Sequence, residues 1–313
     1  MVAYRRAVQD RSSGRRWSAG RPVDIHATLG PLRRGAADPA HRAEAAGAFW
    51  WACATPDGGG TLAVMPAAPD QVDCWAWGTG AGWLLDRVPA LLGAHDDWSA
   101  LDVSGHALLR EVVRRRPGLR LPATGLVMDS LVPAVLEQRV TGGEARRAWA
   151  GLLRRFGRPA PGPHPELRVP PSAADLLAVP TWDWHRLGVD GQRQRAIRAA
   201  ATVAHRIEEA AGLPPEKALA RLRAVPGVGA WTAAETLQRA IGDPDALSIG
   251  DFNLPGIVGW FFTGQRGGTD EQMLELLAPW AGQRQRVVRL IELTGLAPPR
   301  HGPRYAPLNT RAM

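Results

Sequence analysis

The sequence predicts an α+β chain in which a mixed α/β first third is followed by a mainly α-helical body. Three observations carry that expectation. Residues 48–65 run Ala-Phe-Trp-Trp-Ala-Cys-Ala, then Thr55-Pro-Asp-Gly-Gly-Gly60, then Thr61-Leu-Ala-Val-Met65, which reads strand, Gly-rich turn, strand. The segment Arg116-Pro-Gly-Leu-Arg-Leu-Pro122 interrupts the chain with two prolines and a glycine. Beyond it strand signals become scarce and apolar residues recur at helical spacing.

Taken in order, residues 1–22 are polar, basic and without periodicity, and read as a flexible basic tail. An N-terminal α/β domain is expected over 23–118. After the β-hairpin, Gln71 to Leu92 carries Val72, Trp75, Trp83, Leu84, Leu85, Val88 and Leu91 and reads as helical, and Leu108 to Arg116 as another helix stopped by Pro117. A helical domain is expected over 119–297, with helices at about 125–140, 144–156, 172–178, 191–211, 215–225, 230–241, 253–263, 270–280 and 283–295. The prolines between 157 and 171 predict a stiff loop, and residues 298–313 a Pro-rich C-terminal tail.

Bulk properties narrow the function classes. With 313 residues and 45% hydrophobic content the chain can bury a core, which excludes global disorder. A formal charge of +8 points to a polyanionic partner such as nucleic acid. Almost all of that charge is arginine, and Lys217 is the one lysine. Cys53 and Cys74 form no CxxC or Cys/His constellation, so they read as buried free thiols rather than metal ligands. No apolar run approaches the roughly 20 residues that span a bilayer. A cytoplasmic, nucleoid-associated protein is expected, with no membrane contact and no protein partner.

The chemistry concentrates late in the chain. Leu219-Ala-Arg-Leu-Arg-Ala-Val-Pro-Gly-Val-Gly-Ala-Trp-Thr-Ala-Ala-Glu235 predicts two helices joined by a four-residue turn, Pro226, Gly227, Val228 and Gly229. The glycines supply unusual dihedrals and let backbone amides approach a phosphate, at which the second helix aims its free N–H groups. Such a hairpin grips a nucleic-acid backbone without reading bases. An ordinary αα-hairpin would share the turn. Downstream, Gly242-Asp-Pro-Asp-Ala-Leu-Ser-Ile-Gly-Asp-Phe-Asn253 places Asp251 in a loop 20 residues beyond Trp231.

A hairpin of this type followed about two dozen residues later by an Asp resembles the helix-hairpin-helix (HhH-GPD) DNA glycosylase superfamily, and within it the 3-methyladenine DNA glycosylase II (AlkA-type) family. The resemblance extends over about residues 24–297, including the Pro-Gly-Leu-Arg-Leu-Pro junction and Val135-Leu-Glu-Gln-Arg-Val-Thr141. It implies a TATA-binding-protein-like N-terminal domain and double-stranded DNA containing alkylated bases as partner. Asp251 matches the catalytic Asp, which stabilises an oxocarbenium-like sugar and orients water; the competing reading is a helix cap. Trp231 stands where glycosylase/lyases carry a Schiff-base Lys, so water is the expected nucleophile and no lyase step is expected. Its indole would stack on a flipped cationic base, or simply pack in the core.

The resemblance further implies a base pocket with Phe252 beside Asp251, Glu235 where the reference enzyme has an aromatic, and Gln283 where it has a tryptophan. Glu235 reads equally as a solvated helix residue. Contacts to DNA are implied for Pro226, Gly227, Val228, Gly229, Ala230, Thr232, Gln138 and Arg139, with Arg139 filling the gap left by base flipping or touching a phosphate. Arg193, Arg195 and Arg198 are further phosphate candidates or a solvated face. No cofactor and no metal are expected beyond a monovalent cation compatible with the hairpin backbone, and a monomer suffices. The competing functions are a superfamily glycosylase for deaminated or oxidised bases, a non-catalytic hairpin DNA-binding protein, and an interaction protein with fortuitous basicity.

Overall fold

The computed structural model describes residues 13–299. Tail residues 1–12 and 300–313 lie outside them. The chain is α+β: a five-stranded antiparallel sheet in the order β1-β5-β4-β3-β2 is followed by a helical body. The strands are β1 (Ser13–Ser18), β2 (His41–Ala43), β3 (Phe49–Thr55), β4 (Gly58–Ala68) and β5 (Gln71–Gly78). Helices α1 (Ile25–Leu29) and α2 (Ala81–Leu91) belong to the same part of the chain. Alternation along β3 explains its burial on both faces. Phe49, Trp51 and Cys53 pack with Ile25, Leu29, Leu84 and Val88, while Trp50 and Ala52 join Trp77 on the other side.

Three expectations change here. Residues 13–18 are not tail but the edge strand β1, paired with β5 from Ser13 opposite Ala76 to Ser18 opposite Gln71. Trp17 packs against the core, and Arg16 and Arg15 meet Asp73 and Asp86 at 2.6 and 2.9 Å. The Arg15–Asp86 pair is exposed and contributes at most about 1 kcal/mol, so the backbone ladder with the part-buried Arg16–Asp73 pair decides the strand. The stretch 71–92 divides into β5 and α2, because Val72, Cys74 and Ala76 alternate onto the buried face. All three glycines of the run belong to β4, leaving Pro56-Asp57 as the turn.

The body contains α3 (Ala107–Arg115), α4 (Val127–Leu136), α5 (Gly142–Phe156), α6 (Ala173–Ala178), α7 (Thr181–Arg186), α8 (Gly191–Thr202), α9 (Ala204–Glu208), α10 (Pro215–Arg223), α11 (Ala230–Ala240), α12 (Leu254–Thr263), α13 (Asp270–Leu277) and α14 (Arg284–Thr294). Within the Pro-rich stretch, β6 (Arg158–Pro159) pairs with β7 (Arg168–Val169), and Leu167 and Val169 cover the Trp50 face of the sheet.

Packing does not divide at residue 118. Leu109 and Val112 of α3 and Leu119 share a core with Val258, Met273, Leu277, Val287 and Ile291 of α12–α14. The fully buried Arg286 of α14 ion-pairs with Asp96, donating to Oδ2 at 2.8 Å. A second helical core gathers α4 and α8–α11 around Leu131, Val135, Trp184, Ile197, Leu222 and Leu237. The second helix of the hairpin thus belongs to the mid-chain group, while Leu247 in the loop that follows it packs with the last three helices.

Candidate active site

The turn between α10 and α11 has the geometry its glycines suggested. Gly227 sits at φ 87°, a Cβ there would lie 2.6 Å from Ala196 Cβ on α8, and Val228 N–H donates to Val225 O at 3.0 Å. Pro226, Gly227, Gly229 and Ala230 are exposed. Val228 is not: it is buried with Val225 in the helical core.

Gln138 and Thr232 also differ from expectation. The Gln138 amide donates to Gly227 O at 2.9 Å and to Thr232 Oγ1 at 2.8 Å, and Thr232 is buried. Both side chains brace the turn, Thr232 from a buried position and Gln138 from a partly exposed one. Arg139 is exposed and has φ 54°, the one non-glycine residue in the left-handed region among those described. That strain is held by anchored flanks. Gln138 is tied to the turn, and the buried Arg193 donates to the last carbonyl of α4, Leu136 O, at 2.9 Å. Arg193 is thus structural, and Arg198 donates to Leu177 O at 2.6 Å, while Arg195 is exposed.

Asp251 is held from three sides. Its Oδ1 accepts from the N–H groups of Asn253 and Leu254, both at 2.8 Å, so it closes the N-terminus of α12. Its Oδ2 accepts from the Trp231 indole N–H at 2.9 Å. The preceding Gly250 N–H donates to Asp270 on α13 at 2.9 Å. Helix capping and a fixed, partly exposed carboxylate are therefore one arrangement. Trp231 is partly buried on the first turn of α11, joined to the carboxylate by its edge.

Phe252 is 93% exposed, so it stands beside Asp251 without being enclosed. Glu235 is neither solvated nor free to bond a base: Oε1 accepts from Ser248 at 2.5 Å and Oε2 from Arg239 at 2.8 Å. Gln283 Oε1 is likewise occupied, accepting from Arg286 Nε at 2.5 Å. Arg239 and Arg286 lie one helical turn from their partners, whereas Ser248, 13 residues beyond Glu235, is brought to it by the fold of the loop. A cavity of about 560 Å³ lies elsewhere, beside Thr55, Trp83, Asp129, His205 and Glu208, and none of the candidate residues lines it.

No protein-family model matches the chain. Over 223 residues it is 33% identical to a probable bifunctional transcriptional activator/DNA repair enzyme AlkA of Mycobacterium tuberculosis, a match covering 66% of this chain and 43% of the relative. The chain thus spans less than half the length of the curated relatives it matches. In structure it is similar to a 3-methyladenine DNA glycosylase from Archaeoglobus fulgidus, with a TM-score of 0.75 at 16% identity, covering 89% of this chain and 97% of that one. The chain is thus similar in sequence, over part of its length, to an AlkA protein, and it shares its fold with a 3-methyladenine DNA glycosylase.

The same fold is found in the Clostridium acetobutylicum 8-oxoguanine glycosylase/lyase, with a TM-score of 0.68 at 10% identity over 91% of this chain and 96% of that one. Fold therefore does not choose between hydrolase and lyase chemistry here. That choice falls to individual residues. Among the described residues no helix is long and apolar enough to cross a membrane, and both cysteines are buried and free.

Proposed function

We propose that this chain is a monofunctional DNA glycosylase that hydrolyses the N-glycosidic bond of flipped, alkylated purines in duplex DNA. The observation that carries the reading is the Trp231–Asp251 hydrogen bond at 2.9 Å, directly behind the phosphate-binding turn. An indole cannot form an imine, and Lys217, the chain's one lysine, lies on α10 and not at this position. Water is left as the nucleophile. Asp251, held by one indole and two backbone N–H groups, offers a preorganised negative charge to the developing oxocarbenium ion and a base to orient that water. A base alkylated at N3 or N7 leaves as a neutral species, so a strong general acid is not required.

The turn at 226–230 would hold a phosphate, and Arg139 would enter or flank the space vacated by the flipped nucleotide. The decisive experiment measures base release from methylated duplex DNA by the wild type and by Asp251→Asn, beside duplexes carrying hypoxanthine, uracil and 8-oxoguanine. Release of 3-methyladenine or 7-methylguanine by the wild type alone supports the reading. Full activity in a folded Asp251→Asn protein overturns the mechanism, and release of only the other bases transfers the enzyme to a different lesion class. Strand cleavage at the abasic product would contradict the monofunctional assignment.

A further inference from the structure

Helix α11 carries Trp231, Glu235, Gln238 and Arg239 at positions i, i+4, i+7 and i+8, which places them along one stripe. Each of the first three bonds the loop that bears Asp251. Trp231 holds the Asp251 carboxylate, Glu235 accepts from Ser248 Oγ at 2.5 Å, and Gln238 donates to Ser248 Oγ at 2.9 Å and to Ala246 O at 2.8 Å. Ser248 is itself 2% exposed, and its carbonyl accepts from Asp251 N–H at 3.3 Å. The fourth residue turns the stripe into a crosslink: Arg239 pairs with Glu235 and donates to Pro31 O at 3.0 Å, reaching the first third of the chain.

From this geometry we infer that Glu235 is a positioning residue, which sets the height of Asp251 above the phosphate-binding turn by pinning Ser248 to α11. The inference rests on the glycosylase reading for its catalytic meaning, and it assigns Glu235 a role away from the base. Burial alone would raise the Glu235 carboxyl, but Arg239, the Ser248 hydroxyl and Arg34 together hold it below the usual carboxylate range. It is therefore an anion, a stronger acceptor for the Ser248 hydroxyl than a neutral amide. Because turn and carboxylate are both fixed to one rigid helix, an error in loop position becomes an error in where the charge meets the sugar.

The test uses the whole chain with Glu235→Ala, Glu235→Gln and Ser248→Ala, the last removing a single hydroxyl in case loss of the carboxylate prevents folding. Hydrogen exchange of the 246–254 amides is expected to accelerate about tenfold in Glu235→Ala and Ser248→Ala while the 226–230 turn is unchanged, with Glu235→Gln restoring most of the protection. In single-turnover base release the same two variants should lose about tenfold in rate at unchanged duplex affinity, and combining them should cost no more than the worse one alone. Wild-type exchange of the loop in both alanine variants overturns the inference. So does a changed lesion preference with unchanged loop exchange, which would make Glu235 a base-reading residue. If the wild type releases no base from any duplex, the glycosylase reading fails, while the exchange measurement still judges whether Glu235 holds the loop.

Discussion

The indole N–H of Trp231 donates to Asp251 Oδ2 at 2.9 Å, joining the first turn of α11 to the mouth of α12. One side chain thus removes the amine that a lyase would need and aims the carboxylate that a hydrolase would use. Trp231→Phe keeps an aromatic side chain but deletes the donor together with half of the bicyclic indole. A hydrogen bond to a charged group is worth about 1.5–3 kcal/mol, so the single-turnover rate of base release should fall about ten- to hundredfold with duplex affinity little changed. An unaltered rate would detach the indole N–H from catalysis.

The two glycines of the turn should separate folding from binding. At Gly227 a Cβ would meet Ala196 at 2.6 Å and the backbone is left-handed, so Gly227→Ala should lower stability by about 1–3 kcal/mol in thermal melts. At Gly229, where φ is −86° and nothing lies within 4 Å of an added Cβ, alanine should fold almost normally. Its methyl group would still stand between α11 and a phosphate. DNA titration at fixed salt should therefore show a weakened Gly229→Ala protein of near wild-type melting temperature.

Two buried carboxylates should give opposite pH signatures. Burial, reinforced by nearby Glu208, raises Asp129 well above its usual range, and its Oδ2 has no hydrogen-bond partner. A raised folded-state value means stability that is complete below about pH 4 and lost as pH rises. Asp129→Asn should accordingly raise the melting temperature at pH 7 and lose that advantage toward pH 4. For Asp38 burial pushes upward, but His41 and the N–H groups of Arg34 and Ala40 outweigh it and bring the carboxyl to about 2. Its contribution is present above about pH 4 and disappears as pH falls toward 2, so Asp38→Asn should destabilise the protein at pH 7 and flatten that part of the acid melt. Melts of both variants across pH 2–7 test the two signs.

Breaking the Asp96–Arg286 pair should be costly because side-chain exposures of 4% and 1% leave no water to take over. Asp96→Ala strands a buried guanidinium, and a loss of about 3–5 kcal/mol in denaturant unfolding is expected. A loss below about 1 kcal/mol would mean that solvent reaches Arg286 after all.

What could be read from sequence was what is encoded locally. The turn at 226–229, the helices on either side and Asp251 in a loop at fixed spacing follow from short segments, and α12, α13 and α14 lie close to their expected limits. The strand β1 escaped notice because its backbone partner lies in β5, some 57 residues away for Arg16 and Asp73. Glu235 was placed on the right helix with the wrong neighbour, since Ser248 is brought to it only by the fold of the loop. Gln138 and Thr232 lie by the hairpin as anticipated, and a mutual hydrogen bond that spacing could not show ties them together.

The shared core of α3 with α12, α13 and α14 bears on how the protein is made. Residues 107–115 leave the ribosome long before residues 254–294, and until those helices emerge Leu109 and Val112 have only early neighbours such as Ala27, Trp98 and Leu119 for cover. Closing the rest of the contact joins segments more than a hundred residues apart. This core is completed only after α14 has been made, and cutting the chain near residue 118 would separate α3 from the helices it packs against.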